Sequence, residues 1–300
     1  MTVAEAPGVD DAAFERYAGK NGYFSMIFDF GWENMEGEND KSSIHAVERW
    51  KKKMFTHVAH NSGIGWSAIF LENHDQSRCL NKFLERENIS FYSASALASI
   101  YFFLYGTPFI YQGQEIGMTN VKWKNINDMD DIRAKRTYEE AVGQGKDPEE
   151  VLAYFSELGR DNARTPMQWD DSANAGFTTG TPWIKVNSNY PKVNAKQEIS
   201  DPDSVFSYYK KLIRLRHENE IIVYGDYELL APEDEALFIY TRMLGTQRLM
   251  VLCNFTEKEV SIPQEVTEQI PADAKLLIGN YSKQKEEMLL SLIHISEPTR

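Results

Sequence analysis

Short apolar runs alternate with amphipathic stretches through the first two thirds of the chain. Residues 2–4, 26–30, 67–71 and 109–111 carry the apolar, β-favouring runs of buried strands. Between them, residues 10–17 open on an Asp, residues 43–57 open on a Ser, and residues 90–104 form a longer apolar stretch. These three read as helices with capping starts or strong periodicity. A β-α-β-α order predicts helices packed on a parallel sheet, and four such units make the C-terminal half (strands 5 to 8) of an α/β barrel of the (β/α)8 type. Residues 122–158 are charged and helical, interrupted at 143–148, and lie beyond the last barrel strand, so they read as an insertion. Residues 203–218 give an amphipathic helix whose apolar positions are Val205, Phe206, Tyr209, Leu212, Ile213 and Leu215, suited to be the last barrel helix.

The pattern then changes. From residue 227 the runs 227–230, 237–242, 249–254, 260–262 and 275–278 are short, β-rich and separated by turn residues such as Leu244-Gly245-Thr246. This predicts a small antiparallel β domain over residues 221–292, following a partial barrel over residues 1–220. Residues 288–292 are strand-like, whereas residues 293–300 neither alternate nor close a hairpin and read as a non-native tail. At the other end, Met1-Thr2-Val3-Ala4-Glu5 is a buried strand from its first residue, with no leader before it, which makes Met1 read as an internal methionine.

Composition narrows the function classes. The formal net charge is −13, which repels nucleic-acid backbones and anionic membranes and favours neutral partners. No run approaches the roughly 20 apolar residues that span a bilayer. Two cysteines, Cys79 and Cys253, form no paired motif, so neither a disulfide framework nor a zinc cluster is expected, and a cytoplasmic setting is the simplest reading. The run Trp50-Lys51-Lys52-Lys53 reads as a solvated helix face, and His57, His60 and His217 have no partner at ligand spacing. Trp66, Trp123, Trp169 and Trp183 read as ordinary packed aromatics rather than a binding platform.

Reactive side chains of parallel barrels sit at the C-terminal ends of strands. Three such positions carry chemistry: Glu5, the run Glu72-Asn73-His74-Asp75, and Gln112. Taken alone, Glu5 reads as a turn carboxylate ahead of Pro7-Gly8, and Asn73 and Asp75 are common where a strand enters a loop. A pair of carboxylates is nonetheless what retaining glycoside hydrolysis requires, one as acid and one as nucleophile about 5 to 5.5 Å away.

In order along the chain, Thr2-Val3-Ala4-Glu5-Ala6-Pro7-Gly8-Val9, Leu71-Glu72-Asn73-His74-Asp75-Gln76, the stretch Gly106 to Met118 and Gly159-Arg160-Asp161-Asn162-Ala163-Arg164-Thr165-Pro166-Met167-Gln168-Trp169 resemble the α-amylase family, glycoside hydrolase family thirteen, and within it the oligo-1,6-glucosidase and α-glucosidase branch. The resemblance implies Glu5 as general acid/base, Asp75 as the carboxylate that stabilises the transition state, His74 as its partner on the sugar hydroxyls, and Arg160, paired with an upstream Asp, as the residue closing a pocket for one terminal glucose. It implies an α-glucosidase acting on short isomalto- or malto-oligosaccharides, with no cofactor in this stretch and any structural calcium upstream of residue 1. The nucleophilic Asp is likewise expected upstream, so residues 1–300 by themselves should not turn over. A trehalose-6-phosphate hydrolase, a sucrose-acting glucosyl transferase or isomerase, and a non-catalytic glucosidase-like domain are the competing readings. Three departures from the branch pattern stand out: Gln76-Ser77-Arg78 lacks the usual proline, Arg133 stands where the branch often has Glu, and Gln114 replaces a common Glu.

Overall fold

The computed structural model describes residues 1–28, 30, 51, 54, 58, 61–256, 258–281 and 292–296. They fall into two units, one of Met1–Ile69, Ser95–Phe109 and Lys211–Arg300, the other of Phe70–Ala94 and Ile110–Lys210.

The first unit carries a four-strand parallel sheet in chain order: β1 (Val3–Glu5), β2 (Met26–Phe28), β3 (Ser67–Ile69) and β4 (Thr107–Pro108). Glu5 pairs in register with Phe28, and Phe28 with Ala68. Helix α1 (Asp11–Ala18) starts where Asp10 accepts the Ala13 amide at 2.8 Å, relieving one of the unpaired N–H groups of its first turn. Its buried face, Phe14 and Ala18, packs on Ile27 of β2. Helix α2 (Cys79–Phe83) lies within the second unit, and α3 (Phe91–Phe102) begins in the second unit and continues in the first from Ser95.

The expected strands hold with shifts at their ends. The ladder to β3 is made by residues 107–108, not 109–111. The Phe109 amide still donates to Ile69 O at 2.7 Å, but the Tyr111 amide is taken by the Gln114 side chain at 3.2 Å, which turns the chain out of the sheet. Gly106 permits the approach. Its φ is +121°, and a Cβ there would lie 2.5 Å from Ser67 O.

The helix expected at 43–57 falls largely outside the described residues, as do His57 and His60. Lys51 and Met54, with Val58 just beyond, are helical and share one buried face. This corrects the solvated reading of Lys51. Its ammonium is fully buried and donates to the carbonyls of Ala231 at 3.1 Å, Leu237 at 2.9 Å and Asp234.

Also in this unit, α7 (Val205–Glu218), which begins in the second unit, is followed by α8 (Glu220–Tyr224) and a five-strand antiparallel sheet in the order β5 (Asp226–Leu230), β6 (Leu237–Leu244), β7 (Gln247–Asn254), β9 (Leu292–Ser296), β8 (Lys275–Gly279). Between β7 and β8 comes α9 (Gln264–Thr267). Residues 260–262 form no strand of this sheet. Val260 and Ile262 instead pack side-on against the cluster of Leu230, Leu237, Ile239, Met250, Leu252 and Val266. Residues 292–296 pair with both β7 and β8, and residues 297–300 lie outside the described residues.

The second unit holds α2, then a helical hairpin of α4 (Ile132–Gly143) and α5 (Pro148–Leu158), then the short α6 (Ala195–Ser200). The break expected at 143–148 is the turn of that hairpin. Asp131 caps α4 through the Arg133 amide at 2.9 Å, and Asp147 caps α5 through the Glu149 amide at 2.8 Å, with Pro148 in its first turn. Val151 and Phe155 of α5 pack with Val121, Trp123, Met129, Ala134 and Ile184, so this hairpin shares its core with the loops before and after it.

Candidate active site

The second unit places three of the four expected site residues in one hydrogen-bonded cluster. After β3 the chain stays buried through Phe70 and Leu71, then passes Glu72 into a tight loop in which the Asp75 amide donates to Asn73 Oδ1 at 2.8 Å. That turn presents the Asp75 carboxylate, 44% exposed, to two arginines. Arg160 Nη1 donates to Oδ1 at 3.1 Å and Arg164 Nη2 donates to the same oxygen at 2.7 Å. His74 lies with Nε2 3.4 Å from the other oxygen, Oδ2.

Arg160 is itself aimed by a second carboxylate. Its Nε and Nη2 donate to the two oxygens of Asp131, each at 2.7 Å, the fork-on-fork geometry that fixes a guanidinium in plane. Those bonds hold the Asp131 carboxyl below the usual carboxylate range and push the Arg160 guanidinium up. Asp131 is fixed in turn because Asp161, fully buried, accepts the amides of Asp130 and Asp131 at 2.7 and 2.8 Å. The order is therefore Asp161 to the 130–131 backbone, Asp131 to Arg160, and Arg160 to Asp75.

Arg164 was not singled out in the sequence, although it stands four residues after Arg160 in the same motif. Its Nε donates to the His74 carbonyl at 2.8 Å while Nη2 holds Asp75, so it clamps the loop by backbone and side chain at once. Nη1 lies 3.7 Å from Asp161 Oδ1.

Beneath the loop sits a buried ion pair. Arg78 Nη1 lies 3.0 Å from Glu72 Oε1, and both side chains are 1% exposed or less. Arg78 also donates to Gln112 O at 2.6 Å and Ala163 O at 3.4 Å, with its guanidinium 5.5 Å from the Tyr111 ring centre. The segment lacking the family proline is thus held from below by this arginine, and its amide by Asn120 Oδ1 at 2.9 Å. Gln112, read as a strand-end position, contributes its carbonyl here. Gln114 is buried and donates to Tyr209 Oη at 2.8 Å, so its departure from the family pattern falls in packed structure rather than an open loop. Burial pushes the Glu115 carboxyl and the Tyr111 phenol above their ordinary values.

Glu5 ends β1 in the first unit and is exposed. Trp169 and Trp183, expected to be packed, are 52% and 56% exposed, whereas Trp123 is buried and donates to Asn162 Oδ1 at 3.0 Å. Among the described residues no group of three or more His, Cys, Asp and Glu side chains could hold a metal ion. No described helix is long and apolar enough to cross a membrane.

A parallel sheet with helices between its strands, followed by an antiparallel sheet, defines the class of partial α/β-barrel proteins with a β domain. Residues 1–225 match the family model of the alpha-amylase catalytic domain, and the chain belongs to that family. It is 43% identical over 298 residues to an oligo-1,6-glucosidase of Parageobacillus thermoglucosidasius, the match covering 96% of this chain and 52% of the relative. An oligo-1,6-glucosidase of Bacillus cereus is 40% identical, with 94% and 51% covered. Among solved structures, a mutant trehalose-6-phosphate hydrolase of Bacillus licheniformis superposes with a TM-score of 0.91 at 34% identity, covering 99% of this chain and 56% of that one. Isomaltulose synthase of Klebsiella sp. LX3 gives 0.87 at 32% identity, covering 98% and 55%. The chain spans about half the length of the curated relatives it matches. The fold class is accordingly the one expected, a partial (β/α) barrel followed by a small antiparallel β domain.

Proposed function

We propose that this chain supplies the acid/base and the transition-state-stabilising carboxylate of a retaining α-glucosidase that removes terminal glucose from short α-linked oligosaccharides. The observation carrying this reading is the Asp131–Arg160–Asp75 relay, which holds one partly exposed carboxylate in fixed orientation beside His74. A carboxylate so oriented binds sugar hydroxyls by charge-assisted hydrogen bonds that tighten as the ring flattens toward an oxocarbenium ion. Positioning it beforehand avoids reorganisation during the reaction.

In this mechanism Glu5 donates a proton to the departing glycosidic oxygen and then takes one from the water that resolves the covalent intermediate. Asp75 and His74 hold the glucose hydroxyls, Arg160 closes the pocket, and Arg164 positions Asp75. The nucleophile is supplied by the part of the enzyme outside residues 1–300. Purified residues 1–300 should therefore release no p-nitrophenol from p-nitrophenyl α-glucoside, while the full-length enzyme releases it with retention at the anomeric carbon. Turnover by the chain alone, or inversion by the full-length enzyme, defeats the assignment.

A second reading, hydrolysis of a phosphorylated disaccharide, is favoured by the 0.91 superposition on a trehalose-6-phosphate hydrolase. Initial rates of the full-length enzyme on isomaltose, maltose and trehalose 6-phosphate, measured side by side, separate the two.

A further inference from the structure

Arg160 and Arg164 reach Asp75 from one short segment of the second unit. Residues Arg160–Asn162 make a single 3-10 turn, closed by the Asn162 amide on Gly159 O at 3.2 Å, the Ala163 amide on Arg160 O at 3.0 Å and the Arg164 amide on Asp161 O at 3.1 Å. These bonds are internal to residues 159–164, so they fix the shape of the segment and not its place. Asp161 ties it only to the 130–131 backbone, which belongs to the same relay. Tolerance is small, because Arg160 Nη1 lies 3.1 Å from Asp75 Oδ1, at the long end of the hydrogen-bonding range, and a drift of about 0.5 Å breaks the contact.

Asn162 is the residue of this turn that reaches furthest outward. It is fully buried, and its Nδ2 donates to Gly159 O at 2.8 Å and to Phe155 O and Ser156 O at 3.3 Å each. Those carbonyls end α5, where a helix has no partners of its own to offer. Asn162 Oδ1 accepts the Val121 amide and Trp123 Nε1, both at 3.0 Å, which engages the full capacity of a carboxamide.

Asn120 does the same for the carboxylate side. Its Nδ2 donates to Glu157 O at 2.7 Å and Ser156 O at 3.3 Å, and its Oδ1 accepts the Arg78 amide at 2.9 Å, just beyond the loop that carries Asp75. Carboxylate loop and arginine turn are therefore both referenced to the last turn of α5, whose Phe155 packs in one core with Trp123.

We propose that Asn162 is a positioning residue of the site: by capping the last carbonyls of α5 it sets where the 160–164 turn stands, so that both guanidiniums reach one oxygen of Asp75. It acts through Arg160 and Arg164 and touches no sugar. Its effect on turnover rests on the function proposed above; its hold on the arginines does not.

Asn162→Asp keeps the size and the acceptors of the side chain but takes away its two N–H donors. In residues 1–300, the Arg160 Nε–H held by Asp131 and the Arg164 Nε–H held by the His74 carbonyl should then exchange with water roughly tenfold faster, read by nuclear magnetic resonance of labelled arginine. The Arg242 Nε–H, held by Gly225 O in the other unit, should stay within about twofold of the parent. In the full-length enzyme, kcat/KM for p-nitrophenyl α-glucoside should fall roughly tenfold. Combined with Arg164→Lys, the loss should be at least about threefold smaller than the product of the two single losses, the mark of residues that act through one another. Where Asn162→Asp does not fold, Asn162→Ser, which keeps one donor, takes its place. A chain that folds with neither replacement overturns the proposal, since the side chain then holds the whole unit rather than the turn. Unchanged exchange at both arginines, exchange that quickens equally at Arg242, an unaltered kcat/KM in an active parent, or single losses that multiply in full overturn it too. Quickened exchange at the two arginines, with a full-length parent that releases no p-nitrophenol, upholds the positioning role and overturns the proposed function instead.

Discussion

Removing Arg78 tests whether the site loop stands on its buried ion pair. Arg78→Ala leaves the Glu72 carboxylate, at most 2% exposed, without the guanidinium 3.0 Å away, and removes the donor from the carbonyls of Gln112 and Ala163. An uncompensated charge at such depth costs about 3–5 kcal/mol. A pair on the surface behaves differently: Lys196 and Asp171, 3.1 Å apart, are 70% and 54% exposed, and solvent screens them. Equilibrium urea unfolding of residues 1–300, followed by both circular dichroism and tryptophan fluorescence, should show the loss for Arg78→Ala and none for Lys196→Ala. The double replacement Glu72→Met with Arg78→Met should recover most of the stability, because it removes the stranded charge along with its partner. An Arg78→Ala chain within about 1 kcal/mol of the parent, or a double variant no better than the single one, would refute the reasoning.

Three further outcomes follow from the same geometry. Because Arg160 holds the Asp131 carboxyl below its ordinary value, the stability it contributes is complete above the unfolded-state value of roughly 3.9 and is lost as pH falls through the lower folded-state value. Asp131→Asn should therefore flatten the acid limb of stability below about pH 4, read by acid titration of tryptophan fluorescence; an unchanged limb contradicts the pairing. Arg164→Lys in the full-length enzyme keeps a charge but loses the fork to His74 O and Asp75, and kcat/KM should fall roughly 100-fold, as small misplacements of a reacting group do. Gly113→Ala should destabilise the chain by about 1–3 kcal/mol in the same urea assay, since the residue sits at φ +88° and its Cβ would meet Met118 Sδ at 2.4 Å.

Periodicity carried most of the fold, because strands and helices here bury one face and the apolar spacing records which. Asp10, Asp131 and Asp147 each precede a helix and cap it, the kind of local rule a sequence states openly. Errors came where a side chain, rather than the apolar pattern, decides the outcome. Residues 109–111 look like a strand, yet the Gln114 side chain takes the Tyr111 amide. The motifs that carry His74, Asp75 and Arg160 arrive in order and the fold brings the three together, but their spacing does not say which carboxylate aims Arg160. Asp131, the cap of α4, does that work from 29 residues upstream. Arg164 was hidden by its neighbour: a motif with two arginines four apart does not reveal that both reach one oxygen.

The solvated reading of Lys51 failed for a reason that two other cations share. Lys51, Arg78 and Arg242 are all fully buried, and each donates to two or more backbone carbonyls. Arg242 donates to Gly225 O and Ile222 O at 2.9 Å each and to Phe103 O, tying off carbonyls at the ends of α3 and α8 that their own helices leave unpaired. Burial pulls its guanidinium down to about 10, still far above neutral pH, so it stays charged and keeps donating. A cation in this role contributes to the formal charge but presents nothing to solvent. Among the described residues these three buried cations are matched by three buried carboxylates, Glu72, Asp131 and Asp161, so burial leaves the formal balance of −13 as it stands.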